Sequence, residues 1–206
     1  SPLLSDGRLQ LQLKFPYGKD CHVCPGYDWE NPDKHKSSIL NGASAHHAVI
    51  KRELDTTNYF VGVNWNDGVI KETDRHEFII QPKVGNDTFE FSVLFNKTDE
   101  DSRTDYADTE QNSIVGWKDF WNSGGVMDFS SCTDPRAKEL ERRVVLSQYL
   151  TKIQCAGSLP PQETGLTMNS WYGKFHLEMH WWHAAHFALW DRVHLMEKSM
   201  PWYAQV

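Results

Sequence analysis

The sequence predicts a mixed α+β protein in which an antiparallel β-sandwich is followed by long helices. Over roughly the first half of the chain, apolar and polar residues alternate with the period of two that marks half-buried strands. After Ser113 the apolar residues recur at helical spacing instead. Several short antiparallel strands separated by turns are typical of a sandwich, so we expect residues 8–110 to form one.

The strand pattern occurs in five short segments. The first alternates polar residues with Leu9, Leu11, Leu13 and Phe15, and the others are residues 48–54, 59–65, 77–81 and 89–95. Asn66, Asp67 and Gly68 lie between two of these segments, and an Asp-Gly pair readily adopts the positive φ angles of a tight hairpin turn. Residues 21–41 and the acidic residues 98–109 lack the pattern, and we expect both to be surface loops.

Two helices are predicted in the second part of the chain. Thr133, Asp134 and Pro135 form a helix-start signal, because a capping side chain precedes a proline that is tolerated in the first turn. The apolar residues that follow at helical spacing extend to Ile153, and Gly157 can end this helix. A second helix is expected over residues 177–197, before Pro201. The two helices are therefore centred near residues 145 and 185.

The composition limits the classes of partner. The chain has 206 residues and a net charge of −7, and all of the excess acidity lies in residues 1–115. Binding to a nucleic-acid backbone needs a basic surface, so we expect no nucleic-acid partner. The sequence contains no apolar run long enough to span a membrane, and residues 1–15 lack the features of a signal peptide. We expect no membrane partner and a secreted or periplasmic location, with the signal already removed.

The four cysteines are Cys21, Cys24, Cys132 and Cys155. An even number permits two disulfides without demonstrating either. The spacing of Cys21 and Cys24 also fits half of a zinc site, but no second cysteine pair at ligand spacing follows. We therefore expect no metal and no cofactor.

The tryptophans indicate a sugar site in the second part of the chain. Of the nine tryptophans, those after residue 116 are Trp117, Trp121, Trp171, Trp181, Trp182, Trp190 and Trp202. Sugars stack their C–H faces on aromatic rings while their hydroxyls need polar partners, so a sugar site combines aromatic and polar side chains. Residues 169–183 have this composition, although an aromatic core helix would have it too.

A histidine stripe runs along the second predicted helix. His176, His180, His183 and His186 fall within about 120° of its surface. Neutral imidazoles in such a stripe could bind a metal, or they could form a semi-polar face packed against a neighbouring element. We expect packing, because no further cluster of histidines and carboxylates supplies the remaining ligands.

Glu178 points away from the histidine stripe, about 160° around the helix from His176. In the first turn a carboxylate is favoured by the helix dipole and can face a ligand at the helix mouth. It can equally be a simple first-turn residue without a ligand. One carboxylate does not make a glycosidase, because hydrolysis needs a second one roughly 5 to 10 Å away.

Four segments after residue 116 form a set of motifs: Trp117 to Gly125, Glu139 to Leu150, Pro160 to Leu166, and Asn169 to His183. Together they resemble the domain junction of the six-hairpin glycosidases, with glycoside hydrolase family 65 as the nearest comparison. The resemblance covers mainly residues 116–200, and the sandwich part agrees in kind rather than by motif. It implies an N-terminal β-sandwich joined through linker helices to an (α/α)6 barrel.

The resemblance also implies a division of the chain and a set of substrate-binding residues. Residues 1–115 would be the sandwich, residues 116–170 a linker helix and loop, and residues 171–206 the first helix region of a truncated barrel. Glu178 would stand at the family's sugar-binding Asp, with Leu177 in place of its Trp. The expected substrate-binding residues are Trp171, Tyr172, Lys174, His176, Glu178 and Trp181.

The leading hypothesis is an N-terminal part of a glycoside hydrolase or phosphorylase. Its partners would be a carbohydrate substrate and the remainder of the parent polypeptide. The family's general acid lies later than Val206, so we expect the chain alone to be inactive and its last helix to leave apolar side chains partly exposed. A noncatalytic carbohydrate-binding module and a metal-binding protein that uses the histidine stripe are the alternatives.

Overall fold

The computed structural model describes residues 2–40, 42–99 and 104–206. Its architecture is mixed α+β, with antiparallel sheets and several helices. The chain divides into two compact units. One comprises the described residues within Ser1–Gly18 and Tyr27–Val115, and the other comprises Lys19–Gly26 and Gly116–Val206. The predicted loops over residues 21–41 and 98–109 lie partly outside the described residues.

In its described residues, the first unit contains a short helix, nine strands and the beginning of a longer helix. The short helix is α1 (Pro2–Ser5), and the strands are β1 (Leu11–Lys14), β2 (Tyr17–Gly18), β3 (Tyr27–Asp28), β4 (His35–Ile39), β5 (His47–Leu54), β6 (Thr57–Trp65), β7 (Val69–Asp74), β8 (Glu77–Gln81) and β9 (Phe91–Asn96). They form a three-stranded sheet β1-β8-β7, a two-stranded sheet β2-β3 and a four-stranded sheet β4-β5-β6-β9. The pairings of these strands are antiparallel, as the sequence predicts.

One apolar core joins the inward side chains of the two larger sheets. Alternate residues of β5 and β8 are buried, because successive side chains of a strand point to opposite faces. The buried core residues are Phe15, Ala48, Ile50, Val61, Val63, Trp65, Ile70, Phe78 and Ile80. Predicted strand periodicity therefore identifies much of this core.

The predicted hairpin at Asn66-Asp67-Gly68 is wrong. β6 ends just before it and β7 begins just after it, but β6 pairs with β5 and β9 whereas β7 pairs with β8. The turn thus leads from one sheet to the other. Gly68 has a φ of +135°, and a Cβ there would lie 2.4 Å from the Gln81 carbonyl oxygen. An Asp-Gly pair specifies a tight change of direction, but the pairing partner is set by which faces are buried.

Strand β4 lies inside the segment predicted as a long loop, and a buried polar network explains why its sequence is polar. Arg52 is fully buried and donates to the Nδ1 of His35 at 2.8 Å and to the Oγ of Ser37 at 2.5 Å. His76 stacks on His35 with ring centroids 3.7 Å apart. Burial, the neighbouring His76 and then Arg52 lower the pKa of His35 to about 4. His35 is therefore neutral at pH 7, with Nδ1 as the acceptor.

The helices after the strands are α2 (Tyr106–Asn122), α3 (Ala137–Cys155), α4 (Leu177–Leu189) and α5 (Val193–Glu197), with short 3-10 segments at Trp171–Gly173 and Met200–Ala204. Helix α3 covers most of the first predicted helix. It begins at Ala137, and its N-cap residue Arg136 makes no side-chain cap, so the predicted start signal at Thr133, Asp134 and Pro135 is wrong. The start of α2 overlaps the predicted acidic loop, which is wrong from there on. The Asp105 carboxylate accepts the Asp108 amide at 2.8 Å and so caps this helix. Asp105 is a typical N-cap residue, so the sequence contained a signal for the start of this helix.

The second predicted helix is interrupted, so its expected continuity over residues 177–197 is wrong. Asp191 takes a left-handed φ of +56°. Its amide donates to the Ala188 carbonyl at 3.1 Å, and the Arg192 amide donates to the Phe187 carbonyl at 2.7 Å. These two bonds form a Schellman motif, which ends α4. Glycine usually occupies the left-handed position of this motif, and here that position is Asp191. The sequence therefore lacks the glycine that would have predicted the end of α4.

Candidate functional site

The predicted sugar-binding segment begins with a left-handed turn. Trp171, Tyr172 and Gly173 have consecutive φ angles of +51°, +62° and +64°. Each left-handed non-glycine residue costs on the order of 1 kcal/mol, and such strain persists only where neighbouring contacts hold it. The Gly173 amide closes the turn by donating to the Ser170 carbonyl at 2.9 Å. A strained pair of aromatic residues is therefore held at the surface.

The turn displays aromatic rings beside a cation. Trp171 is 44% exposed and Tyr172 is 46% exposed. The Nζ of Lys174 lies 5.3 Å from the ring centroid of Tyr172. The His176 ring meets Trp171 nearly at right angles, with centroids 5.3 Å apart. The structure thus brings four of the six predicted substrate-binding residues together.

Glu178 and Trp181 lie on α4 itself rather than in this set of ring contacts. His176 is the N-cap residue of α4, and Glu178 is an exposed residue of its first turn. Trp181 is 66% exposed. Both side chains are accessible to a ligand, although their predicted role as sugar contacts stays a prediction.

A disulfide-closed loop supplies a residue that the sequence analysis missed. Cys21 and Cys24 are joined by a disulfide. Between them, His22 lies against Trp171 with ring centroids 4.4 Å apart and against Tyr172 at 5.6 Å. Because both sulfurs are bonded to each other, neither thiol is free for the zinc half-site considered above. The remaining cysteines are unpaired, with Cys132 exposed and Cys155 buried.

His180 behaves as the predicted packing residue. Its Nε2 is 2.9 Å from the Ser199 Oγ, whose proton is donated to the Met196 carbonyl. The Nε2 therefore carries the imidazole proton, and Nδ1 accepts the Tyr203 hydroxyl at 2.5 Å. Burial lowers the pKa of His180, which favours this neutral form.

The next two histidines of the stripe, His183 and His186, each have one buried ring nitrogen that makes no hydrogen bond among the described residues. These atoms are the Nδ1 of His183 and the Nε2 of His186. Burial and the nearby Arg192 lower the pKa of His186. Within residues 2–40, 42–99 and 104–206, no group of three or more histidine, cysteine, aspartate or glutamate side chains is arranged to hold a metal.

Apolar side chains of the last helices are exposed, as the sequence predicts. Trp181, Trp182 and Leu189 have exposed fractions of 66%, 64% and 84%, and Trp190 is half-buried. A surface cavity of about 470 Å³ in the same unit is lined by other residues: Phe129, Cys132, Asp134, Arg136, Ala137 and Leu140. We place the candidate site at the left-handed turn Trp171–Gly173 with its neighbours Lys174 and His176, called the aromatic turn below. Its exposed rings beside a cation have the chemistry of sugar recognition, whereas the charged residues of the cavity, Asp134 and Arg136, pair with each other at 2.8 Å.

Comparison of the chain with models of protein families, with curated proteins and with solved structures gives no match. In the part of the chain that the structure describes, no helix is both long and apolar enough to cross a membrane.

Proposed function

We propose that this chain is an N-terminal part of a glycoside hydrolase or phosphorylase and that the aromatic turn is part of its sugar-binding surface. The observation that carries the proposal is the strained, exposed pair Trp171 and Tyr172 beside Lys174. Exposing two large rings at left-handed positions costs free energy in the free protein. Stacking on a ligand would recover part of that cost.

The proposed chemistry of recognition follows from the side chains. Trp171 offers a stacking face, and the Lys174 ammonium offers charge-assisted donors to hydroxyl oxygens. Glu178, exposed in the first turn of α4, offers an acceptor for two neighbouring hydroxyls. In this proposal the general acid is supplied by the remainder of the parent polypeptide.

The finer architecture is part of the same proposal. The two larger sheets would form the antiparallel β-sandwich of a six-hairpin glycosidase, and α4 would open its (α/α)6 barrel. Support for the sandwich comes from the single apolar core that both sheets share. Support for the barrel comes from the exposed Trp182 and Leu189 of α4, which a neighbouring barrel helix would cover.

A noncatalytic carbohydrate-binding module is the second candidate. The exposed rings favour it too, because stacking requires no pair of catalytic carboxylates. Binding of oligosaccharides without any turnover by the full-length protein would select this alternative.

Glu178→Gln should lower turnover by the full-length protein while changing its stability by less than about 1 kcal/mol, as expected for an exposed side chain. The matched variant His183→Ala should instead lower stability, because His183 is largely covered. The measurement records thermal midpoint and turnover for both variants on a panel of p-nitrophenyl glycosides, with and without phosphate. Unfolding by Glu178→Gln, or parental turnover in that variant, would show that Glu178 has no sugar-binding role.

A further inference from the structure

We propose that His22 is a positioning residue for Trp171 and that the disulfide-closed loop Lys19–Gly26 forms a further side of the sugar-binding surface. Reduction of the Cys21–Cys24 disulfide would then weaken sugar binding. The part that concerns sugars rests on the proposed function, whereas the positioning of Trp171 does not.

The first step is that Trp171 contacts two imidazoles. His22 meets the indole at 4.4 Å with an interplanar angle of 63°, and His176 meets it at 5.3 Å with an angle of 83°. Such edge-to-face contacts are favourable for aromatic rings. Because Trp171 has a left-handed backbone, these contacts help to keep a conformation that the residue alone disfavours.

The second step is that the loop is fixed against the same segment. The Asn169 side-chain amide donates to the Cys24 carbonyl at 2.9 Å and to the Cys21 carbonyl at 3.4 Å. At the loop base, the Lys19 amide donates to the Gly26 carbonyl at 3.0 Å. A Cβ on Gly26 would lie 3.2 Å from the Asn169 Cβ, so the backbone approaches closely here. Asn169 thereby links the loop to the chain just before Trp171.

The third step is that the disulfide restrains His22. A dithiol reductant breaks the S–S bond with two electrons, two protons convert the sulfurs to the Cys21 and Cys24 thiols, and the reductant becomes a cyclic disulfide. The reduced loop retains the Asn169 bonds but gains conformational freedom around His22. Looser contact with the ring should let Trp171 leave its oriented position.

The test follows the environment of Trp171 directly. The protein is labelled with 5-fluorotryptophan, and the Trp171 ¹⁹F resonance is assigned by its loss in Trp171→Phe. We expect His22→Ala to shift this resonance and His22→Phe to keep it close to the parental position, since an aromatic ring is restored. Dithiothreitol, or the pair Cys21→Ser and Cys24→Ser, should shift it as well. Cys132→Ser is the matched control and should leave it unchanged.

The sugar arm uses maltotriose, cellotriose and xylotriose as probes in the same spectra. His22→Ala and reduction should each weaken binding by about 3- to 10-fold, as expected for one aromatic contact. An unshifted Trp171 resonance in both His22→Ala and the reduced protein would overturn the positioning role, whatever the sugars do. Shifted resonances without any response of the parental protein to sugar would support the positioning role and contradict the proposed function. Thermal melts of each variant confirm that it is folded.

Discussion

Arg192→Leu should lower the free energy of unfolding by about 3 kcal/mol or more, because it leaves several buried acceptors without donors. Arg192 is 1% exposed, and its guanidinium donates to the Phe120 carbonyl, the Gly125 carbonyl and the Gln148 Oε1 at 3.1 to 3.2 Å. It also lies 4.3 Å from the Phe120 ring centroid. These hydrogen bonds run to backbone carbonyl and side-chain amide oxygens rather than to a carboxylate, and burial lowers the pKa of the guanidinium.

The matched control for that measurement is Arg136→Leu. The Arg136 side chain is 88% exposed and pairs with Asp134 at 2.8 Å, so its loss should change stability by less than about 1 kcal/mol. Urea titration of both variants measures the difference. Equal stabilities of Arg192→Leu and Arg136→Leu would contradict the structural role assigned to the buried guanidinium.

Protonation of His35 should lower the free energy of unfolding of the first unit by about 3 kcal/mol as the pH falls from about 6.5 to about 4. The folded pKa of His35 is lowered, so the unfolded chain binds the proton more readily. The contribution is complete above the unfolded pKa and disappears as pH falls through the folded one. Protonation of the Nδ1 would also remove the acceptor for Arg52 and place a second cation beside it.

Comparing the parental protein with His35→Gln isolates this effect, because His180 and His186 also have lowered pKa values and act in the same direction. Denaturant midpoints measured between pH 4 and pH 7.5 should fall less steeply in His35→Gln. The control is His46→Gln at an exposed histidine, which should follow the parental curve. If the denaturant midpoints of His35→Gln and of the parental protein fall equally steeply with pH, the assigned role of His35 is wrong.

The strands that the sequence predicts are those with one clearly apolar face. β5, β6 and β8 fall close to their predicted ranges, because burial of alternate residues leaves a period of two in the sequence. β4 and β7 do not show this period. The buried residue of β4 is a histidine bound to Arg52, and β7 is largely exposed. Their pairing depends on neighbours that are distant in the sequence.

The candidate site likewise combines residues that the sequence predicts with one that it does not. Trp171, Tyr172, Lys174 and His176 are close in sequence, so a local pattern identifies them together. His22 comes from a distant loop, and its contact with Trp171 depends on the Asn169 hydrogen bonds and on the Cys21–Cys24 disulfide. The short spacing of the cysteines indicates a closed loop, but nothing in the sequence indicates where that loop docks.

The most direct test of the central claim is a calorimetric titration of the full-length protein with maltotriose, cellotriose and xylotriose, in the parental form and in Trp171→Ala and Trp29→Ala. We predict that at least one of these sugars binds and that Trp171→Ala weakens its binding by about 10-fold, as expected for the loss of a stacking ring. Trp29 belongs to the first unit and is 47% exposed, close to the 44% of Trp171, so Trp29→Ala should leave the affinity within about twofold. Equal affinities of Trp171→Ala and the parental protein, or no binding of any of the three sugars, would contradict the assignment of the aromatic turn as a sugar-binding surface.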